Sequence, residues 1–296
     1  MRIGVVGVGR IGAPLVARLV AAGHEVVAAD VRAERRQVVV EAGARWAASS
    51  AQAAAAREVV VTALPGGPEL RAAVLGPDSL LSHMSPGAIW VDVTSASAEL
   101  GRECALRARE YGVGYLDAPI GGGVPAMREG AVTLYVGGDS EVLAAAEPVL
   151  RAFAAEIHHM GQDNGSGYLV KLLINVLWFG QAALTTEALL VARSLGVPAE
   201  RMQSVLGGSA GDSAFAARHL PALLQGDYLR DFGLDRCVEE LDSVELTAGR
   251  AGMPHPLTAA IALLHREALD RFGRVDGELM GPALLEERAG SPLSEA

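Results

Sequence analysis

Apolar and polar positions along this chain fall into two regimes. From Arg2 to about Gly161, short β-branched runs alternate with stretches of helical periodicity, the pattern of βαβ units and a parallel sheet. Strands are predicted at Ile3–Val6, Glu25–Ala29, Glu58–Thr62, Ile89–Val93, Gly114–Leu116, Val132–Val136 and Ile157–Met160, with helices between them. The Ala-rich piece Ala51–Ala56 has a low-complexity composition but reads as helix, because Ala is the best helix former. Past Gly161 the strand signals stop. Polar, glycine-bearing Gln162–Gly167 breaks the pattern, and a helical run then extends from about Ser166 to Leu195, where Gly-Val-Pro ends it. Further helices are predicted at Ala199–Leu206, Ser213–Leu224, Leu234–Ala251 and Pro256–Phe272, with a frayed tail after Gly290.

Composition supports two domains. A chain of 296 residues, half of them apolar, can bury two cores, and its wealth of Ala, Val, Leu and Gly with few aromatics suits helices packed on a parallel sheet. A formal charge of −10 without a basic run argues against a nucleic-acid partner. The two cysteines, Cys104 and Cys237, stand far apart without metal-ligand spacing, so no metal site is expected and a reducing cytoplasm fits. Neither a leader peptide nor a membrane span is expected, since no apolar run reaches roughly 18 uninterrupted residues.

Candidate chemistry begins at the first strand. Ile3–Val6 runs into Gly7-Val8-Gly9-Arg10-Ile11-Gly12 and then an amphipathic helix. In such a GxGxxG turn the first glycine permits the tight bend, the second lets backbone approach a pyrophosphate, and the third lets helix and sheet pack closely. The pyrophosphate rests on the helix N-terminus, where free N–H groups point at it. The second strand ends in Asp30, 18 residues past Gly12, where a carboxylate can accept ribose hydroxyls and repel the 2′-phosphate of NADP. NAD is therefore the expected cofactor, with NADP as the alternative. Arg32, Arg35 and Arg36, which follow Val31 closely, could clamp a phosphate or form a solvated helix face.

Of the 25 basic residues only Lys171 is a lysine; the other 24 are arginines. It lies in the apolar stretch Tyr168-Leu-Val-Lys171-Leu-Leu-Ile-Asn175-Val-Leu-Trp178, near the start of the long helix. Lys171 and Asn175 share a helix face at a spacing of four. An amine among Leu, Val and Ile is costly to bury unless it is paired or driven toward neutrality. Lysine in that state can take a proton from a hydroxyl while a nicotinamide takes the hydride, which arginine cannot do.

These motifs, with Asp92-Val-Thr94-Ser95 and Asp117-Ala-Pro-Ile-Gly121-Gly122-Gly123, make the chain resemble the β-hydroxyacid dehydrogenase family over nearly its whole length. The resemblance implies an α/β fold: a Rossmann-type doubly wound parallel sheet over residues 1–162 and an all-helical domain over 163–296 that binds substrate and builds a homodimer or homotetramer. It implies hydride transfer between the cofactor and a small β-hydroxyacid or semialdehyde, with Lys171 as general acid/base, Asn175 holding the substrate, and the backbone of Gly121–Gly123 receiving its carboxylate. Leu64, Pro65, Thr94 and Ser95 would line the cofactor, and Asp117 would shape its loop.

Two departures stand out. The family's serine in the glycine loop is Gly121 here, and the Lys-Asp after a Phe-containing segment is Glu239-Glu240 after Phe232, which puts Glu239 at a cofactor-contacting position. Trp178 either favours an apolar substrate or is core, and Ser209–Ser213 is either a closing loop or a capping turn. Two other functions stay open: an imine reductase, although that group places Asp or Tyr where Lys171 stands, and a cofactor-binding protein without turnover.

Overall fold

A computed structural model describes residues 1–76 and 79–294. The chain forms two compact units, Met1–Lys171 and Leu172–Ala296. In the first, strands and helices alternate: β1 (Arg2–Val6), α1 (Gly12–Ala21), β2 (Glu25–Ala29), α2 (Arg36–Glu41), β3 (Arg45–Trp46), α3 (Ser50–Ala54), β4 (Val59–Thr62), α4 (Gly67–Leu75), β5 (Ile89–Asp92) and α5 (Ala98–Glu110). They continue with β6 (Gly114–Asp117), β7 (Ile120–Gly121), α6 (Gly123–Glu129), β8 (Val132–Gly137), α7 (Ser140–Leu150) and β9 (Ala154–Gly161). Then α8 (Ser166–Ser194) starts in the first unit and runs on into the second.

The sheet order is β3-β2-β1-β4-β5-β6-β8-β7, with β9 beside β8. Strands β1 to β6 are parallel, and β1 sits between β2 and β4, so the order reverses where the glycine turn leaves β1. Ligands of doubly wound sheets bind at such a switch point, outside the carboxyl ends of the strands. The β-branched strands β4 and β5 are buried at every position because helices cover both faces. One face packs Ile3, Val5 and Val91 against Leu15 and Leu19 of α1 and Val149 of α7. The other packs Val60 and Trp90 against Leu70 of α4 and Leu100 and Cys104 of α5. Local signals start the helices: Ser49, Ser97 and Asp139 each accept a backbone N–H from the first turn they precede.

The sheet departs from the all-parallel expectation at its end, where β8 runs antiparallel to β6 and β7. Its burial alternates, as befits a strand covered fully on one face only. Strands β3 and β7 were too short, at two residues each, to register as periodic segments. The Ala-rich helix ends at Ala54, and Ala56 takes a left-handed φ of 56°.

The second unit contains the rest of α8 with α9 (Ala199–Leu206), α10 (Ala214–Arg218), α11 (Leu220–Leu224), α12 (Leu234–Arg250), α13 (Pro256–Phe272) and α14 (Met280–Ala289). The predicted Ser213–Leu224 helix divides at His219, since Pro221 has no N–H to continue it. Helix α14 was missed because Pro, Gly and Glu interrupt its apolar residues. The tail is held rather than frayed over residues 291–294: Leu293 is buried, its N–H donates to Glu286 Oε1 at 2.6 Å, and Arg193 donates to the Pro292 carbonyl. Residues 295 and 296, also covered by that expectation, lie outside the described residues. By length and composition α8 could cross a membrane, although a third of its apolar window is buried in this chain.

Candidate active site

The three glycines of the first turn do different work. Gly7 has φ +96°, and a Cβ there would lie 2.3 Å from the Ala63 carbonyl oxygen; one at Gly12 would lie 1.9 Å from that of Gly7. Both positions are closed by protein. A Cβ at Gly9 would meet nothing nearer than Arg32 Nη2 at 3.7 Å, which leaves room for a ligand against the backbone. Helix α1 begins without a side-chain cap or an acidic residue in its first turn, so its N–H groups are open to an anion. Arg10 is exposed at this rim and Ile11 half-buried. These groups fit the pyrophosphate of a dinucleotide.

Asp30 is more committed than its position in sequence implied. Its Oδ2 accepts the Val8 N–H at 2.7 Å, and its Oδ1 accepts the Arg32 N–H at 2.9 Å and Arg32 Nε at 3.1 Å. Burial opposes its charge, but the hydrogen bonds from Arg32 and Val8 outweigh that and hold the carboxyl below its ordinary value. Asp30 thus braces the glycine turn and neutralises Arg32, while Val31 is wholly exposed beside them.

The next two strand ends are tied together by a buried carboxylate. Asp92, at the end of β5, accepts hydrogen bonds from Thr62, Thr94 and Tyr168, the Thr94 bond being 2.7 Å. Trp90 Nε1 donates to Thr62 Oγ1 at 2.8 Å, and the Tyr115 and Tyr168 hydroxyls lie 2.9 Å apart. Burial pushes the Asp92 carboxyl up. Thr94, expected to line the cofactor, is buried: its hydroxyl serves Asp92 and accepts the Leu64 N–H at 3.1 Å, fixing the turn after β4. Half-buried Leu64 and Ser95 and exposed Pro65 remain at the sheet edge.

The helix of Lys171 is seated on the adjoining strands. Asp117, at the end of β6, accepts the Gly165 N–H at 2.7 Å and the Tyr168 N–H at 3.1 Å, which caps the start of α8. Asn164 Nδ2 donates to the Tyr115 carbonyl at 3.0 Å. A Cβ at Gly167 would stand 2.2 Å from the Tyr135 carbonyl oxygen, so helix backbone rests directly on β8. Half-buried Lys171 follows at i+4, on the Gly167 face of the helix. Gly122 and Gly123 bend that turn with positive φ values of 95° and 61°. Tyr168 and the capping role of Asp117 escaped sequence reading, because the partners lie 51 residues apart.

In the second unit, Asn175 Nδ2 donates to Glu240 Oε2 at 2.7 Å, and Glu240 is buried. Glu239, expected at the cofactor, instead pairs with Arg236 at 2.9 Å along the surface of α12; of the two glutamates, the one that reaches the Lys171–Asn175 helix is Glu240. Trp178, expected at the substrate, is half-buried and packs edge-on against Phe179, Phe215 and His219 at 5.3–5.7 Å. Among the described residues no group of three or more His, Cys, Asp or Glu could hold a metal ion.

A glycine turn at the switch point of a parallel-dominated sheet defines a dinucleotide-binding fold of the Rossmann type, here followed by a helical unit. Residues 2–161 match the NAD-binding domain of 6-phosphogluconate dehydrogenase, and residues 165–279 match the NAD-binding region of NADP-dependent 3-hydroxyisobutyrate dehydrogenase. The chain is 33% identical over 261 residues to 2-(hydroxymethyl)glutarate dehydrogenase of Eubacterium barkeri, covering 88% of this chain and 86% of the relative. It is 34% identical over 209 residues to 3-hydroxyisobutyrate dehydrogenase of Pseudomonas aeruginosa, covering 71% and 70% of the two. The 3-hydroxyisobutyrate dehydrogenase of Mycobacterium tuberculosis, solved with L-serine, superposes with a TM-score of 0.85 at 27% identity, covering 96% of this chain and 98% of the other. The chain belongs to the β-hydroxyacid dehydrogenase family and is an NAD(P)-dependent dehydrogenase or reductase of a small molecule.

Proposed function

We propose that this protein transfers hydride between NAD, used in preference to NADP, and a small β-hydroxyacid or its semialdehyde, with Lys171 as general acid/base. The observation that supports this reading is the seating of α8: Gly167 rests on the backbone of β8 and Asp117 caps the first turn, so the helix that carries the only lysine of the chain is fixed to the sheet one turn before Lys171. When bound, the nicotinamide supplies the hydride acceptor or donor. In oxidation Lys171 Nζ takes the hydroxyl proton, and in reduction it returns one to the carbonyl oxygen. Asn175, held by Glu240 through its Nδ2, orients the substrate, and the backbone of Gly121–Gly123 receives its carboxylate. NAD is favoured because Asp30 offers negative charge at the ribose end and already pairs with Arg32, the nearest cation for a 2′-phosphate.

The test is a panel of hydroxyacids and of cyclic imines assayed with both cofactors, followed by Lys171→Arg. Turnover of a β-hydroxyacid with NAD, and a loss of about 100-fold or more in Lys171→Arg at unchanged cofactor affinity, is the expected result. Full activity in Lys171→Arg would remove the amine from the mechanism.

A second copy of the chain is the proposed cover for the exposed apolar face of α8, where Leu177, Leu184 and Val191 are each more than half exposed at spacings of seven. Sedimentation should give a dimer or tetramer, and a monomer at micromolar concentration would refute this. A reducing cytoplasm suits the two buried free thiols, Cys104 and Cys237.

A further inference from the structure

Position 121 lacks a side chain, and the space it would use is taken. Gly121 pairs with Thr133 across the β7–β8 ladder, so the side chains of Thr133 and Tyr135 stand on the same face as the missing one. A Cβ built at Gly121 would lie 3.2 Å from the Tyr135 hydroxyl and 3.3 Å from its ring. The ring is backed by His158 of β9, with centroids 6.2 Å apart and planes nearly parallel, and His158 Nε2 in turn lies 3.1 Å from Glu156 Oε2. A side chain at 121 would therefore press on the Tyr135 ring, which would have to give by a few tenths of an ångström.

Tyr135 is half-buried, and its hydroxyl makes no hydrogen bond to any described residue and is open to solvent, so it is available to a ligand. Desolvation and the nearby Glu156 carboxylate push its pKa up, so it stays a neutral O–H donor across the ordinary pH range. The carbonyl of the same residue carries Gly167, and Lys171 lies one helical turn further on.

We propose that the hydroxyl of Tyr135 donates a hydrogen bond to the substrate's carboxylate at the Gly121–Gly123 turn, supplying the side-chain donor that position 121 lacks. The inference rests on the hydroxyacid reading above. Because a phenol reaches further than a serine hydroxyl, Tyr135 also sets how close the carboxylate lies to the turn, and so makes this residue a determinant of specificity.

Tyr135→Phe removes one oxygen and keeps the ring against Gly121 and His158. The expected result is a KM for the hydroxyacid raised about 10- to 100-fold, as for loss of a hydrogen bond to a charged group, with kcat and cofactor affinity within a few-fold of the parent. With the substrate's primary amide in place of its carboxylate, parent and variant should differ by less than about 3-fold. Gly121→Ser should restore a low KM in a Tyr135→Ala background, where the ring no longer crowds it. An unchanged KM in Tyr135→Phe, a loss confined to kcat, or an equal loss for acid and amide would each overturn the proposal. The acid-to-amide ratio is read within one variant, so it does not depend on how much of that variant folds. Failure of the parent enzyme to turn over any hydroxyacid would instead overturn the hydroxyacid reading itself.

Discussion

Gly167→Ala tests how the helix that carries Lys171 is held. In a solvent-facing helix this change is favourable by about 1 kcal/mol, because Ala has the higher propensity. Here the new methyl would lie 2.2 Å from the Tyr135 carbonyl oxygen, 2.8 Å from that of Asp117 and 2.9 Å from Asp117 Oδ2. Ordinary carbon–oxygen approach stops at about 3.3 Å, so the first turn of α8 must retreat by roughly 1 Å. Both oxygens of main chain belong to strands of the sheet and cannot swing aside as a flexible side chain could. Overpacking of this kind costs about 1–3 kcal/mol, which cancels or exceeds the propensity gain. With Lys171 in the proton-transfer role proposed for it, the functional effect should be larger, since a displacement of about 1 Å in such a group costs on the order of 100-fold in rate. Urea denaturation should show the variant no more stable than the parent, NADH absorbance should show kcat lowered about 100-fold, and cofactor affinity should hold, because the turn at Gly7–Gly12 lies on other strands. A variant more stable by about 1 kcal/mol with full turnover would refute the idea that Gly167 seats Lys171 by direct backbone contact.

The other glycines and the capping aspartate give separable outcomes. Gly9→Ala should leave unfolding within about 0.5 kcal/mol of the parent while weakening NAD binding at least tenfold, whereas Gly12→Ala, whose methyl meets the Gly7 carbonyl at 1.9 Å, should itself destabilise by about 1–3 kcal/mol; equal stability losses in the two would refute the division of labour. Burial pushes the Asp117 carboxyl up to about 6, against the hydrogen bonds from Gly165 and Tyr168. A raised folded-state value means that the folded protein holds this proton more tightly than the unfolded chain does. The stabilisation is therefore full below about pH 3.8 and is lost as pH rises through about 6, a change of about 3 kcal/mol. Asp117→Asn should abolish this slope, so its stability relative to the parent should rise between pH 4 and 7; a relative fall over that window would show the ionised form to be the stabilised one.

The division between what sequence could and could not reveal follows from where each residue's partner lies. The glycine turn was legible because all three tasks are local to one strand, one bend and one helix, and Asp30 was legible because strand and helix lengths fix its distance from Gly12. Even so, its bonds to Val8 and Arg32 were not, since they depend on how the second strand is rotated. Lys171 announced itself by rarity, while the residues that aim its helix, Asp117, Gly167 and Tyr135, are connected to it only through the sheet. Val132-Thr-Leu-Tyr-Val136 alternates in a way that a strand buried on both faces need not, but the all-parallel expectation passed over it, because alternation reports one covered face and not strand direction. Trp178 and Glu239 show the opposite limit: helical spacing places a side chain on a face but does not say which neighbour occupies it, and here the neighbours are an aromatic cluster and Arg236. The bare glycine at 121 is the sharpest case. Taken alone it looks like the loss of a side-chain donor, but Tyr135, two residues beyond the Thr133 that pairs with it across the ladder, brings a hydroxyl to within 3.2 Å of where its Cβ would stand, a neighbour that no reading of the loop by itself could supply.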